Sequence, residues 1–168
     1  MFEFLFNHWP IVFVASATFI AWGFAKLMLD EEKMPYQKRP NLLTDSQLAF
    51  YQALREAVNG DWAIQSRVRM SDLLQVEPKA AKFQTWQNRI SGQDIDFLLC
   101  EQDTLQAKLA IKLDEPPQED SKRGDRDRFV DHAFGDAGLP LLRIDIQASY
   151  DAGGLRKSID EQLGPAAQ

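Results

Sequence analysis

A chain of 168 residues with 45% hydrophobic side chains is long enough for one globular domain and one further element. Charged residues at 26% beside 11% aromatics exclude bulk disorder, and a single cysteine, Cys100, excludes an internal disulfide framework and fits a reducing compartment. The formal net charge of −6 argues against a broad phosphate-binding face, so a nucleic-acid contact would need a local basic patch.

The first element is the run Trp9 to Leu29, whose only formal charge is Lys26 near its end. About 20 apolar residues cross the hydrocarbon core of a bilayer as a helix. Phe, Val, Ile, Ala and Leu fill all sides of this run, which sets it apart from a core helix with a polar face. A cleaved signal peptide needs a basic start and a small-x-small site, and Met1-Phe2-Glu3 followed by Lys26-Leu27-Met28-Leu29 supplies neither. Residues 1–29 therefore read as a membrane anchor whose partner is the lipid bilayer. No Lys or Arg precedes the run, whereas Lys26, Lys33, Lys38 and Arg39 follow it, which places the rest of the chain on the cytoplasmic side. Ala17, Ala21 and Ala25 form a small-residue stripe of the kind that pairs helices in a homodimer.

Residues 30–40 are a charged linker stiffened by Pro35 and Pro40. A helix is expected from Thr44, with Gln47 at the capping-box position, to Asn59-Gly60. Trp62, Ile64, Ser66, Val68 and Met70 then alternate with Gln65, Arg67 and Arg69, which predicts a half-buried strand. Phe83, Trp86 and Ile90 suggest a short helix after Pro78. Ile95, Phe97 and Leu99 share one face of a second strand, with Asp94, Asp96 and Leu98 opposite. A polar turn, Glu101–Thr104, leads to a third strand bearing Leu109, Ile111 and Leu113 on one face and Ala110 and Lys112 on the other. Glu115–Gly124 reads as a charged loop, and a helix from about Asp125 buries Phe129, Val130, Ala133, Phe134 and Ala137 before Gly138. Leu139–Ile146 is a fourth strand, and Leu155, Ile159 and Leu163 mark a last helix from Asp151 to Leu163. Residues 41–164 thus form one domain, followed by a tail at 165–168.

Without the inserted helix the order is αβββαβ, the common core of the PD-(D/E)xK nucleases, an α/β fold in which helices flank a mixed four-stranded sheet. Asn41–Thr44, Phe50-Tyr51 with Leu54, Arg67–Met70, Ile95–Cys100, Arg126–Phe129 and Ala137–Ile144 closely resemble the bacterial domain of unknown function 2726 family. That family is related to the very-short-patch-repair-like branch of these nucleases, and the likeness spans about Pro40 to Leu163. With the anchor, it implies a single-pass protein of a bacterial inner membrane.

The resemblance also assigns site positions. Asp96 matches the strand aspartate expected to ligate a divalent ion, and Asp127 matches the Arg-Asp pair at the next helix. Where the family shows Ile-Glu-Leu-Asp-Asp, this chain reads Ile111-Lys112-Leu113-Asp114-Glu115, so Lys112 replaces the glutamate. Gln118 falls at the expected histidine, and Gln47 stands where the first helix carries a glutamate. Magnesium takes oxygen ligands, and an ammonium cannot coordinate it. Two arrangements are open. Asp96, Asp114 and Glu115 form a rearranged acidic site for Mg2+, or Lys112 takes the metal's place as a fixed charge paired with Asp96.

Plainer readings stand beside these. Asp96 also reads as a capped or ion-paired strand residue facing solvent. Lys122, Arg123, Arg126 and Arg128 form the only basic cluster, but Asp120, Asp125 and Asp127 interleave with it, as on a solvated helix start. His8 suits a membrane interface. His132 suits a surface or an ion pair, and no Cys or His stands at ligand spacing from it. Trp62 and Trp86 suit core packing better than base stacking. The expected function is a membrane-anchored, catalytically degenerate nuclease-like module that binds nucleic acid or protein, with no cofactor. An active Mg-dependent endonuclease and a structural membrane scaffold are the alternatives.

Overall fold

The computed structural model describes residues 8–29, 34–114 and 121–164. They fall into two units, Met1–Pro40 and Asn41–Gln168. In the first, helix α1 (Trp9–Leu29) contains an 18-residue window, Trp9–Lys26, of mean hydropathy 1.3 with none of it buried. At 1.5 Å per residue its 21 residues extend roughly 31 Å, enough by length and composition to cross a membrane. Its hydroxyls are satisfied within the helix. Ser16 Oγ donates to Phe13 O at 2.9 Å, and Thr18 Oγ1 reaches Val14 O and Ala15 O at 2.9 Å. Helix-internal bonding of this kind makes a hydroxyl tolerable in hydrocarbon.

The second unit is built on a mixed four-stranded sheet with strands β1 (Ala63–Arg69), β2 (Asp94–Cys100), β3 (Ala107–Asp114) and β4 (Leu141–Asp145) in that spatial order. The first three run antiparallel, and β3 pairs parallel with β4. A parallel pair needs a crossover, and helix α5 (Ser121–Ala137) lies within it. Helices α2 (Asp45–Val58) and α6 (Ala152–Leu163) cover one face of the sheet, closing a core of Phe50, Leu54, Phe97, Leu99, Ile111 and Ile159 among others. Phe50 lies 5.3 Å from Phe97 and 5.0 Å from Tyr150, centroid to centroid. Such aromatic pairs add about 0.5–1.5 kcal/mol each beyond area burial. The other face is covered by α3 (Met70–Leu73), α4 (Phe83–Ser91) and α5, around Met70, Ile95, Leu98, Val130 and Phe134. The αβββαβ order is thus present, with α3 and α4 as the insertion, and is consistent with the relationship to PD-(D/E)xK nucleases.

Several local expectations change. Val68 and Met70 pack on the α5 side, whereas Trp62 and Ile64 pack on the α2 side, so the alternation along β1 reverses. Arg67 causes this, because its φ of +54° turns the strand in mid-course. Directly opposite, β2 breaks as well: Ile95 packs on the α5 side, away from Phe97 and Leu99. Met70 leaves the strand to open α3, its amide donating to Gln93 O at 2.9 Å. Helix α5 starts at Ser121 rather than Asp125 and passes through Gly124, since one interior glycine costs a helix only about 1 kcal/mol. Trp86 is 41% exposed rather than packed in the core. The expected loop residues Glu115 and Gln118, and the linker basic residue Lys33, lie outside the described residues.

Candidate functional site

The site forms where β2 parts from β3. Their pairing runs to Phe97–Ile111 and goes no further, so the amide of Leu113 is left without its strand partner. Asp96 takes that amide instead, Oδ2 accepting from Leu113 N at 2.9 Å.

The other carboxylate oxygen belongs to Gln47. Thr44 caps α2 with a complete capping box, in which Gln47 Oε1 accepts from Thr44 N at 3.1 Å. That bond orients the amide, so the opposite end, Nε2, donates to Asp96 Oδ1 at 3.0 Å. A glutamate at 47 would satisfy the same cap but set a second carboxylate against Asp96. With glutamine, the cap and the carboxylate are both satisfied without an ion between them.

Lys112 completes the cluster. Its Nζ lies 3.3 Å from Asp96 Oδ2 and donates to Asp94 O at 2.9 Å. The Asp96 side chain is 15% exposed and that of Lys112 27%, so the pair is only partly screened by water. Asp96 thus receives an ammonium, an amide N–H and a backbone N–H. These donors do not fit a divalent ion: a cation beside Asp96 would meet the ammonium of Lys112 and the amide nitrogen of Gln47 rather than oxygen.

Asp114 and Asp127 are held elsewhere, by Arg143 on β4. Arg143 Nη1 meets Asp114 Oδ1 at 2.7 Å and Asp127 Oδ1 at 3.6 Å, while Nη2 donates to Asp127 O at 3.1 Å. Its Nε meets Asp131 Oδ1 at 2.7 Å. Burial pulls the Arg143 pKa down, but the bonds from Asp131 and Asp114 outweigh it and raise the value overall. The guanidinium stays charged throughout the accessible range and ties β3 to α5. Lys112 and Arg143 are partners in the parallel β3–β4 register, so two cations stand side by side where the resemblance implies an acidic centre.

Among the described residues, no group of three or more His, Cys, Asp or Glu side chains is placed to hold a metal ion. Lys112 is brought to Asp96, and Asp114 to Asp127 through Arg143. Glu115, the third member of the acidic alternative, lies outside the described residues. His132 is exposed on α5. Arg128 pairs with Asp125 one turn away, as on a solvated helix start. Arg143 and Asp131 carry a role that sequence reasoning did not give them. The available signal was that Arg143 is the one cation inside the apolar stretch Leu139–Ile144.

No curated protein and no solved structure matches this chain. A family model matches residues 38–163, three quarters of the sequence, and the chain belongs to that family, described as Protein of unknown function (DUF2726).

Proposed function

We propose that this chain is a single-pass protein of a bacterial inner membrane whose cytoplasmic nuclease-like domain has exchanged metal-dependent cleavage for fixed ion pairs. The domain then works as an interaction module for a nucleic acid or a protein. One observation carries the reading: the Asp96 carboxylate is occupied by Lys112, Gln47 and the Leu113 amide. Hydrolysis in this class would rely on an ion to activate water and stabilise the leaving group. An ammonium supplies a fixed positive charge but no coordination site, so attraction for phosphate survives without the chemistry. Membrane attachment is supported by the length and polarity of α1, and the cytoplasmic orientation by basic residues that follow it.

The test is calorimetric titration of Mg2+ and Mn2+ into the full chain in detergent micelles, alongside cleavage assays on single- and double-stranded DNA and on RNA. The expected result is no saturable ion uptake at Asp96 and no cleavage. Metal-dependent cleavage abolished by Asp96→Asn would overturn the reading in favour of an endonuclease using Asp96, Asp114 and Glu115.

A further inference from the structure

On the face of the sheet away from α2, a groove of about 700 Å³ runs between α4 and α5 and the loop that follows α3. It stands apart from the Asp96 cluster and does not depend on how that cluster is read. Residues 125, 128, 129, 132, 133, 136 and 137 of α5 line it, a repeat of three and four over three helical turns. Its floor is apolar, made by Leu74, Val76, Ile90, Phe129 and Ala133.

The charges at its rim are placed unevenly. Arg89 lies with its guanidinium 4.1 Å from the centroid of Phe129 and 5.5 Å from that of Trp86. Held over two rings, it is pre-ordered, and among the described residues it has no carboxylate partner. Arg128, by contrast, is already paired with Asp125. Asp136, further along the same lining stripe, is exposed and has no ion pair among the described residues. Glu77 adds a second negative charge from the loop, and His132 sits between. Phe129 and Asp136 are seven residues apart, about 10 Å along the helix axis. The groove therefore has an apolar floor, a cation waiting at one level and an anion two turns away.

We propose that this groove docks an amphipathic helical segment of a protein partner. The segment carries apolar side chains at helical spacing, a carboxylate that meets Arg89 and, two turns away, a cation that meets Asp136. Helix-in-groove recognition reads an apolar stripe at such positions, and rim charges select among partners by penalising like-charge contacts. An arginine fork fixed over aromatic rings suits a carboxylate, which it binds in a bidentate manner.

The test uses the full chain in detergent micelles and three fluorescein-labelled helical peptides sharing one leucine stripe. The first carries Glu and Lys two turns apart, the second Glu at both places, the third Lys at both. Fluorescence polarisation should rank the Glu/Lys peptide about 10-fold tighter than either other peptide. Asp136→Lys should move the preference to the Glu/Glu peptide, and Arg89→Glu should move it to the Lys/Lys peptide. Thermal unfolding of each variant checks that it is folded, and Asp136→Lys leaves the Arg89 stack in place. The proposal falls if no peptide binds wild type, if the three bind alike, or if the variants leave the ranking unchanged. Displacement of the bound peptide by a single-stranded oligonucleotide would also overturn it and give the groove to nucleic acid.

Discussion

Asp96 accepts the Leu113 amide at the point where β2 and β3 stop pairing, so a side chain stands in for a backbone carbonyl of the sheet. That bond fixes the carboxylate at the fork between the strands, within reach of both Gln47 on α2 and Lys112 on β3. Strand pairing, helix capping and the ion pair thus converge on one group. The same convergence makes the cluster testable by exchanging single residues.

Lys112→Glu removes the ammonium and places a second carboxylate beside Asp96. Coupled with Gln47→Glu, which keeps the capping box, it should create a site for Mg2+ or Mn2+. Thermal unfolding should then become metal-dependent, by about 2.7 kcal/mol when free ion reaches about 100 times its Kd. Wild type should show no such rise. Equal stabilisation of wild type and variant would mean that Lys112 does not block the ion.

Arg143→Gln leaves Asp114, Asp127 and Asp131 clustered without their shared cation. Removing one partner of a fully buried pair costs about 3–5 kcal/mol, and partial exposure of these carboxylates should reduce that to about 2 kcal/mol. Because the damage is carboxylate repulsion, it should shrink as salt is added, whereas wild type gains little. Chemical denaturation at low and high ionic strength measures both numbers. A loss insensitive to salt would point to packing rather than charge.

Cys100 is 2% exposed, and burial raises its thiol pKa. The folded chain therefore keeps the thiol proton at pH values where the unfolded chain has released it. This stabilisation is complete below the unfolded thiol pKa of about 8.5 and is lost as pH climbs towards the raised folded value. Cys100→Ala should flatten that part of the alkaline decline relative to wild type. The native thiol should also react slowly with iodoacetamide at pH 8, and fast labelling under native conditions would contradict its burial.

A chain truncated to begin at Pro35 should remain in the soluble fraction after ultracentrifugation, whereas the full chain should sediment with membranes and require detergent. A reporter active only in an oxidising compartment, fused after Gln168, should stay silent if the domain is cytoplasmic. A strong signal would reverse the orientation.

Much of this protein follows from local chemistry. The polarity and length of Trp9–Leu29 mark an apolar helix whatever surrounds it, and Thr44 with Gln47 writes a capping box that the backbone then forms. Runs such as Leu109, Ile111 and Leu113 alternate because successive side chains of a strand point to opposite faces. The same alternation puts Lys112 on the face opposite those three, while its departure from the expected glutamate comes from the family resemblance. Tertiary structure decided the rest. A φ of +54° at Arg67 carries no compositional mark, because arginine adopts it only where pairing around it holds the strand, yet it swaps the faces of Val68, Met70 and, across the ladder, Ile95. Arg143 gathers Asp114, Asp127 and Asp131 from another strand and a helix, a contact set by the parallel crossover rather than by spacing. Trp86 looked like core by its hydrophobicity, but the α4–α5 packing leaves it at the rim of a groove with Arg89 over its ring. Periodicity reports which side of its own element a residue occupies. Which charges meet depends on how elements distant in sequence are stacked.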